Sequence, residues 1–268
     1  MATAALTTLA LARSGATLHI TLNRPEQRNA MSLVMVAELR AVLAEAERDG
    51  QTRALVLRGA GSHFCAGGDI KDMAAARGRP AVDGIDPIAQ VSRAFGALCV
   101  AFAATPLAVV AVLEGTVMGG GFGLACVADV AIASDTVSFR LPETSLGLVP
   151  AQIAPFLVER LGYSEAKRLA VCGATLGASE ALAIRLVHEV HGADTLDTAL
   201  ARVLDDILRC APGAIAATKA LLAQARFAPS ATLVAEAAAV FSRAVQGPEG
   251  VEGTTAFIQK RPAAWAPL

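Results

Sequence analysis

Apolar residues in the first two-thirds of the chain alternate between two spacings. Thr17–Leu22 has an apolar residue at every second position, which predicts a half-buried strand. Met35, Leu39 and Leu43 then recur at the spacing of one helical face, which predicts a helix that ends near Arg48. The first third of the chain therefore combines strands and amphipathic helices.

The same two patterns recur further along the chain. Pro87–Ala103 predicts a helix, and four short apolar runs predict strands at Ala54–Arg58, Leu107–Leu113, Asp129–Ala133 and Val137–Leu141. Strands that alternate with helices predict an α/β fold with parallel strands joined by crossovers. After Pro150 the pattern is mostly helical. We predict a catalytic core over residues 1–204 and a helical region over 205–268.

One uncharged stretch, Phe95–Leu113, reaches the length of a membrane-spanning helix. Pro106 interrupts it, and its composition changes there from Ala-rich to Val-rich. No cluster of basic residues flanks it. We therefore expect a buried helix followed by a buried strand, and no membrane association.

Composition and charge narrow the function classes. The 268 residues are 54% hydrophobic and 18% charged, with a net charge of -1, so no basic surplus is available for binding nucleic acid. The five cysteines have no disulfide or zinc spacing, which predicts buried, reduced thiols in a cytoplasmic protein. They are Cys65, Cys99, Cys126, Cys172 and Cys210.

Two glycine-rich turns each follow a predicted buried strand: Phe64–Asp69 and Glu114–Gly121. Glycine allows close approach of a ligand to the backbone, and a turn that opens a helix directs free N–H groups outward. Two such N–H groups from two turns can form an oxyanion hole. Each turn taken alone is also compatible with an ordinary tight turn.

Glu143 is the candidate acid–base residue. It follows a short predicted strand and has few charged neighbours in the sequence, and an apolar setting raises the pKa of a carboxyl group. Taken alone, it fits better as a surface or capping residue at the start of a helix. Cys65 near His63 could suggest a thiolate nucleophile, but a small buried cysteine is the simpler interpretation.

Five motifs together resemble the crotonase superfamily, the enoyl-CoA hydratases and isomerases, over nearly the whole chain. The order and spacing of the motifs carry the resemblance. They are Leu22–Met31, Phe64–Lys71, Gly119–Asp129, the Pro142-Glu143 to Pro150 segment, and Phe257–Arg261.

The resemblance implies an α/β fold with a ββα spiral core and a helical C-terminal region that forms trimers or hexamers. It also implies a CoA thioester substrate and no other cofactor. By motif position, the backbone N–H groups of Gly68 and Gly120 are the oxyanion donors, and Glu143 handles the α-proton. The implied CoA-binding positions are Arg28, Ala30, Ala66, Gly68, Asp69, Ile70 and Lys71, with Phe257 and Lys260 reaching the CoA of a neighbouring subunit.

The chain departs from the hydratase pattern at Gly123, where typical hydratases carry a second catalytic Glu. We expect the missing side chain to free volume beside the acyl chain. The run Ala151–Pro155, which replaces a glycine-rich run, is similar to hydratases of branched glutaconyl-CoA thioesters. Gln152 is either a polar contact near the acyl group or a surface residue.

Three functions remain open from the sequence. The first hypothesis is hydration of a 2-enoyl-CoA with a branched or bulky acyl group. A Δ3-Δ2 enoyl-CoA isomerase, which needs only one carboxylate, is the alternative. A non-catalytic or RNA-binding relative is the third, and the near-neutral charge and the intact Glu143 count against it.

Overall fold

The computed structural model describes residues 6–81 and 84–267, and these form two sheets and ten α-helices. The strands are β1 (Leu9–Ser14), β2 (Thr17–Leu22), β3 (Ala54–Gly59), β4 (Ala108–Leu113), β5 (Thr116–Met118), β6 (Val130–Ser134), β7 (Ser138–Arg140), β8 (Thr175–Gly177) and β9 (Glu189–His191). The helices are α1 (Leu33–Arg48), α2 (Ile70–Arg77), α3 (Pro87–Ala104), α4 (Gly120–Val127), α5 (Ala154–Cys172), α6 (Ala178–Ala183), α7 (Leu196–Leu208), α8 (Pro212–Ala225), α9 (Ser230–Gln246) and α10 (Pro248–Ile258).

The larger sheet has the order β1-β2-β3-β4-β6-β9. Strands β2 to β9 in this sheet run parallel, and β1 pairs antiparallel with β2. The smaller sheet has the order β5-β7-β8. Its strands β5 and β7 directly follow β4 and β6 of the larger sheet in the chain. Because β5 follows β4 after two residues, the chain passes from one sheet to the other at Glu114 and Gly115, next to the second glycine turn.

Both faces of the larger sheet are buried, which explains the continuous apolar runs of its strands. Leu55 and Leu57 belong to the main core with α1 and α3, while Val56 between them faces α7 on the opposite side. All six residues of β4 are buried. The sheet is therefore a rigid support for the loops at its carboxyl end.

The elements predicted from the sequence are confirmed to within one or two residues at their ends. Ser32 caps α1, and its Oγ accepts a hydrogen bond from the N–H of Met35 at 3.2 Å. Strand β1 was not predicted. Of its six residues only Leu9 is buried, so no alternation marks it. Short strands β8 and β9 also lie in the region that we expected to be helical.

The predicted boundary at residues 204 and 205 falls inside α7. Leu196, Leu200 and Val203 of this helix pack on the larger sheet, so α7 belongs to the core throughout. Helices α8 and α9 bury no residue fully, and they contact each other. The apolar side chains that they and α10 expose include Leu222, Val234, Phe241, Phe257 and Ile258.

The uncharged stretch Phe95–Leu113 is divided between α3 and β4, as expected. In residues 6–81 and 84–267, α3 is the one helix long and apolar enough to cross a membrane by length and composition. Its Leu98, Cys99 and Phe102 pack in the main core of the protein.

The expectation of five buried thiols is wrong for two of them. Cys65, Cys99 and Cys126 are buried, but Cys172 and Cys210 are exposed near the ends of α5 and α7. All five are free thiols.

Candidate active site

A cavity of about 280 Å³ opens where the two glycine turns meet α3 and the segment after β7. Most of its wall is aliphatic. The polar side chains on it are Asp69, Asp72, Ser92, Glu143 and Gln152. The apolar residues on it include Met31, Leu33, Val36, Ile70, Ile88, Val91, Phe95, Leu146, Leu148, Val149 and Ile153.

The first glycine turn is held by backbone hydrogen bonds on both sides. The N–H of Met31 donates to Gly67 O at 2.7 Å, and the N–H of Asp69 donates to Met31 O at 3.0 Å. Gly67 has a φ of 100°, a conformation that favours glycine. In the described part of the chain, the N–H of Gly68 between these bonds has no hydrogen-bond acceptor.

The second glycine turn opens α4. Gly119 has a φ of 46°, and its N–H donates to Arg140 O at 3.2 Å. Gly120 is the first residue of α4, so its N–H lacks an acceptor within the helix and lies at the positive pole of the helix dipole. A Cβ on Gly67 would lie 3.9 Å from Gly119 Cα, so the two turns pack directly against each other.

Glu143 faces this junction from the start of a 3-10 turn, Glu143–Leu146. A Cβ placed on Gly119 would lie 3.1 Å from Glu143 Oε1, and Glu143 Oε2 is buried without a hydrogen-bond partner in the described structure. Burial raises the pKa of this carboxyl group. The structure thus places Gly68, Gly120 and Glu143 on one cavity.

Two side chains that sequence reasoning gave no role hold the first turn in place. Asn29 is fully buried, and its Nδ2 donates to Ala60 O at 2.8 Å and to His63 O at 2.7 Å. Arg24 forms a 2.8 Å ion pair with Asp69, whose carboxylate also accepts the N–H of Lys71. Both residues lie in the Leu22–Met31 motif. An Asn whose side-chain amide and carbonyl groups all form hydrogen bonds to the backbone holds its loop in one conformation.

The expectation that Gly123 frees volume for the acyl chain is wrong. A Cβ on Gly123 would lie 2.3 Å from Ile153 Cγ2 and 3.5 Å from Phe95 Cζ. Ile153, which is 3% exposed, fills the space that a side chain at position 123 would need. The sequence could not show this because residues 123 and 153 come together only through the path of the chain after Pro150.

Gln152 is a cavity residue. Its Nε2 donates to Ser92 Oγ at 3.0 Å, and its Oε1 would lie 1.9 Å from a Cβ built on Gly96. The side chain therefore rests on α3 at a position where only glycine leaves room. Gln152 thus lines the cavity rather than the outer surface of the protein.

The implied CoA-binding positions divide into two groups. Ala66, Gly68, Asp69 and Ile70 line the cavity. Arg28, Ala30 and Lys71 lie next to it on the same two segments, and Ala66 N–H donates to Arg28 O at 2.9 Å. Within one chain, Phe257 and Lys260 are exposed at the end of α10 and do not line the cavity.

Three further side chains near the turns and strands have structural roles: Cys65, Glu114 and Asp129. Burial raises the pKa of Cys65 to about 11, so its thiol stays protonated. Glu114 pairs with Arg58 at 2.6 Å. Asp129 pairs with Lys219 at 2.6 Å and accepts the N–H of Val109.

Comparison with known proteins places these features in a family. The family model described as enoyl-CoA hydratase/isomerase matches residues 12–267. A carnitinyl-CoA dehydratase of Proteus mirabilis is 30% identical, with 96% of this chain and 97% of that protein covered. An enoyl-CoA hydratase/isomerase structure from Marinobacter aquaeolei has a TM-score of 0.94 and 52% identity, covering 97% of this chain and 99% of that one. Pseudomonas aeruginosa AtuE has a TM-score of 0.93 and 53% identity, covering 97% and 100%. The predicted crotonase-type fold is confirmed, and the chain belongs to the enoyl-CoA hydratase/isomerase family.

Proposed function

We propose that this protein hydrates a 2-enoyl-CoA thioester with a branched or bulky acyl group, using Glu143 as its single acid–base residue. The observation that carries the proposal is the carboxyl group of Glu143, whose Oε2 is buried without a hydrogen-bond partner in the described structure. It lies against Gly119 on the same cavity as the N–H groups of Gly68 and Gly120. A buried carboxyl group without a partner is costly to folding, which favours a role in chemistry.

Addition of water to the β-carbon of an enoyl thioester moves an electron pair onto the carbonyl oxygen. In our proposal, this oxygen accepts hydrogen bonds from the N–H groups of Gly68 and Gly120 as its negative charge develops. Removal of one such donor typically costs about 3–4 kcal/mol of barrier. Gly120 adds the positive pole of α4 to its hydrogen bond.

Glu143 moves the proton. As a carboxylate it accepts one proton from water while the water oxygen bonds to the β-carbon. As a carboxylic acid it then returns that proton to the α-carbon, and the enolate electrons form the new C–H bond. A pKa raised by burial suits a group that alternates between the two forms.

The aliphatic lining of the cavity supports the proposal of a bulky aliphatic acyl group. Leu146 and Val149 are 62% and 74% exposed, so the wall opens to solvent at this end and leaves space for a long chain. The inner end is closed by Phe95 and Ile153. We expect no cofactor beyond the CoA moiety of the substrate.

Isomerisation is the second candidate, and the packing at Gly123 favours it. Because Ile153 fills this space, no second carboxylate can stand at position 123 to hold a water molecule. A single carboxylate is sufficient to shuttle a proton between the α- and γ-carbons. The two reactions share the oxyanion hole and differ in whether water adds.

We also propose that the chain forms trimers or hexamers. The C-terminal helices expose apolar residues that an oligomer interface would bury. Phe257 and Lys260 are also exposed, and they do not line the cavity of their own chain. In an oligomer they would reach the CoA of a neighbouring subunit. The cytoplasm remains the expected compartment.

The test is turnover on a panel of linear and branched 2-enoyl-CoAs and 3-enoyl-CoAs by the wild-type protein and Glu143→Gln. Loss of the 2-enoyl absorbance with formation of a 3-hydroxyacyl-CoA supports hydration. Exchange of α-hydrogen with solvent deuterium and formation of 2-enoyl-CoA from 3-enoyl-CoA, without hydration, supports isomerisation. Absence of both activities, or an unchanged rate in Glu143→Gln, contradicts the proposal.

A further inference from the structure

Helix α4 meets a half-buried cation at the end opposite the candidate oxyanion hole. The guanidinium of Arg160, on α5, donates from Nε to Cys126 O at 3.2 Å, and from Nη2 to Cys126 O at 3.1 Å and to Ala125 O at 3.4 Å. The same Nη2 also donates to Ala128 O. These carbonyls are at the C-terminal end of α4, where the helix leaves its acceptors without partners.

Arg160 has no ion pair with a carboxylate among residues 6–81 and 84–267. Asp129, two residues after α4, is paired with Lys219, and Glu159, directly before Arg160, is paired with Arg226. Nη1 contacts His188 Nε2 at 3.2 Å, and burial and Arg160 together lower the pKa of His188, so this neighbour adds no charge at neutral pH. The positive charge of Arg160 is therefore directed at α4.

The length of α4 makes this charge relevant to catalysis. The helix has eight residues, so its poles are about 12 Å apart at 1.5 Å per residue. All its residues from Gly121 to Val127 are buried, which limits screening by water. In so short a helix, the negative C-terminal pole opposes the positive pole at Gly120, unless a cation neutralises it.

We propose that Arg160 is a positioning residue that strengthens the oxyanion hole from the far end of α4, because its positive charge neutralises the negative C-terminal pole at the carbonyls of Ala125 and Cys126. Arg160 does not touch the cavity, so it acts on the thioester only through α4. This inference rests on the proposed function, because it needs a thioester carbonyl at Gly120.

The test measures polarisation of that carbonyl directly. Butyryl-CoA cannot be hydrated, and ¹³C in its thioester carbonyl gives a separate infrared band when it is bound. In the wild type we expect this band at a lower frequency than for butyryl-CoA in water. We expect Arg160→Gln to move it back toward the position in water and to lower kcat about three- to tenfold, with KM changed less than twofold. Arg160→Lys, which keeps the charge but loses most of the hydrogen bonds, keeps the wild-type band.

Arg168→Gln is the matched control, because Arg168 lies on the same helix and pairs with exposed Glu165 at 2.8 Å. It should leave the band and kcat unchanged. A lower melting temperature in Arg160→Gln with an unmoved band would overturn the inference and leave Arg160 as a structural cap. If Arg160→Gln does not fold, a shifted band in Arg160→Lys would overturn it. Failure of the wild type to turn over any linear or branched enoyl-CoA of the panel, by contrast, would contradict the proposed function itself.

Discussion

The fold holds the carboxyl group of Glu143 near the two glycine turns. In the described structure its Oε2 has no hydrogen-bond donor. A side chain that served stability would have a partner, because an unsatisfied buried polar atom costs about 1–3 kcal/mol. The protein thus accepts a local loss of stability at the position that its proposed chemistry needs.

Glu143→Gln should therefore separate activity from stability. We expect a loss of about 10²- to 10⁴-fold in kcat, since the amide can neither accept nor return the proton. We also expect the melting temperature at pH 7 to rise by about 2–4 °C, because the variant buries no charge. Calorimetry and turnover measure the two effects, and Glu47→Gln, on the exposed face of α1, is the control that should change neither. A melting temperature below that of the wild type would contradict this account of Glu143.

The raised pKa of Glu143 also predicts how pH acts. Hydration begins with the carboxylate, so kcat should fall as the pH drops through a pKa above the ordinary value of 4.5. The folded protein keeps this proton at pH values where the unfolded chain has released it. The free energy of unfolding should then decrease as the pH rises from 4.5 through the folded-state pKa, and Glu143→Gln should lack this decrease. A Glu143→Gln stability curve parallel to that of the wild type across this range would be the contrary result.

Gly123 and Ile153 give a test of packing at single-residue scale. Gly123→Ala should destabilise the protein by about 1–3 kcal/mol, because its Cβ overlaps Ile153 Cγ2. Ile153→Val should not relieve this, since Val keeps a γ-methyl pair, whereas Ile153→Ala should restore part of the loss in the double variant. Denaturant unfolding of the two single variants and the double variant gives the coupling energy. Additive effects would show that the two residues do not compete for space.

At the scale of elements, the turn that carries Gly68 depends on the segment before α1. Asn29 has a φ of 56° and is fully buried, and its amide spans two carbonyl groups of the chain after β3. Asparagine tolerates this backbone conformation better than most residues do. The Leu22–Met31 motif thus acts on the site through the backbone rather than by contact with the cavity.

Asn29→Asp tests this arrangement, because it keeps the shape and removes both donated hydrogen bonds. We expect a loss of about 2–4 kcal/mol of stability, since two carbonyl groups lose their partner and face a carboxylate. In protein that remains folded, kcat should fall more than KM rises. The matched control is Asn23→Asp at an exposed position. Equal effects in the two variants would exclude a special role for Asn29.

The sequence predicted the elements of the large sheet well because their apolar runs are buried on both faces or alternate clearly. It failed for β1, β8 and β9. Most residues of β1 and β8 are exposed, and β9 is a three-residue edge strand whose residues are all half-buried. The glycine turns and Glu143 could be predicted because each lies in a motif of fixed spacing. Ile153 against Gly123, Gln152 on Gly96 and Arg160 at the end of α4 could not, because each is a contact between segments distant in the chain.

At the scale of the whole molecule, the C-terminal helices lack a partner for their apolar residues. Val234 and Phe241 of α9 are 67% and 71% exposed and lie seven residues apart, so they share one face of the helix. A contiguous exposed apolar patch of this kind is typical of an interaction surface. It supports assembly into oligomers.

Light scattering should accordingly give a mass of three or six times 27.3 kDa. Phe241→Asp should lower this mass, because it places a charge in the proposed interface. If Phe257 and Lys260 serve a neighbouring subunit, the dissociated variant should also bind acyl-CoA more weakly. Glu47→Asp, on the surface of the core, is the control. A monomeric wild type would contradict the proposed assembly.

The interlocked pair of Gly123 and Ile153 constrains how this protein can change over generations. A larger residue at 123 clashes with Ile153, while a smaller residue at 153 alone opens a void, and each step lowers stability before any benefit arises. A related protein could acquire a second carboxylate at position 123 only if residue 153 were replaced by a smaller one as well. The packing of this pair thus favours retention of glycine at position 123, and with it the single carboxylate that the proposed mechanism uses.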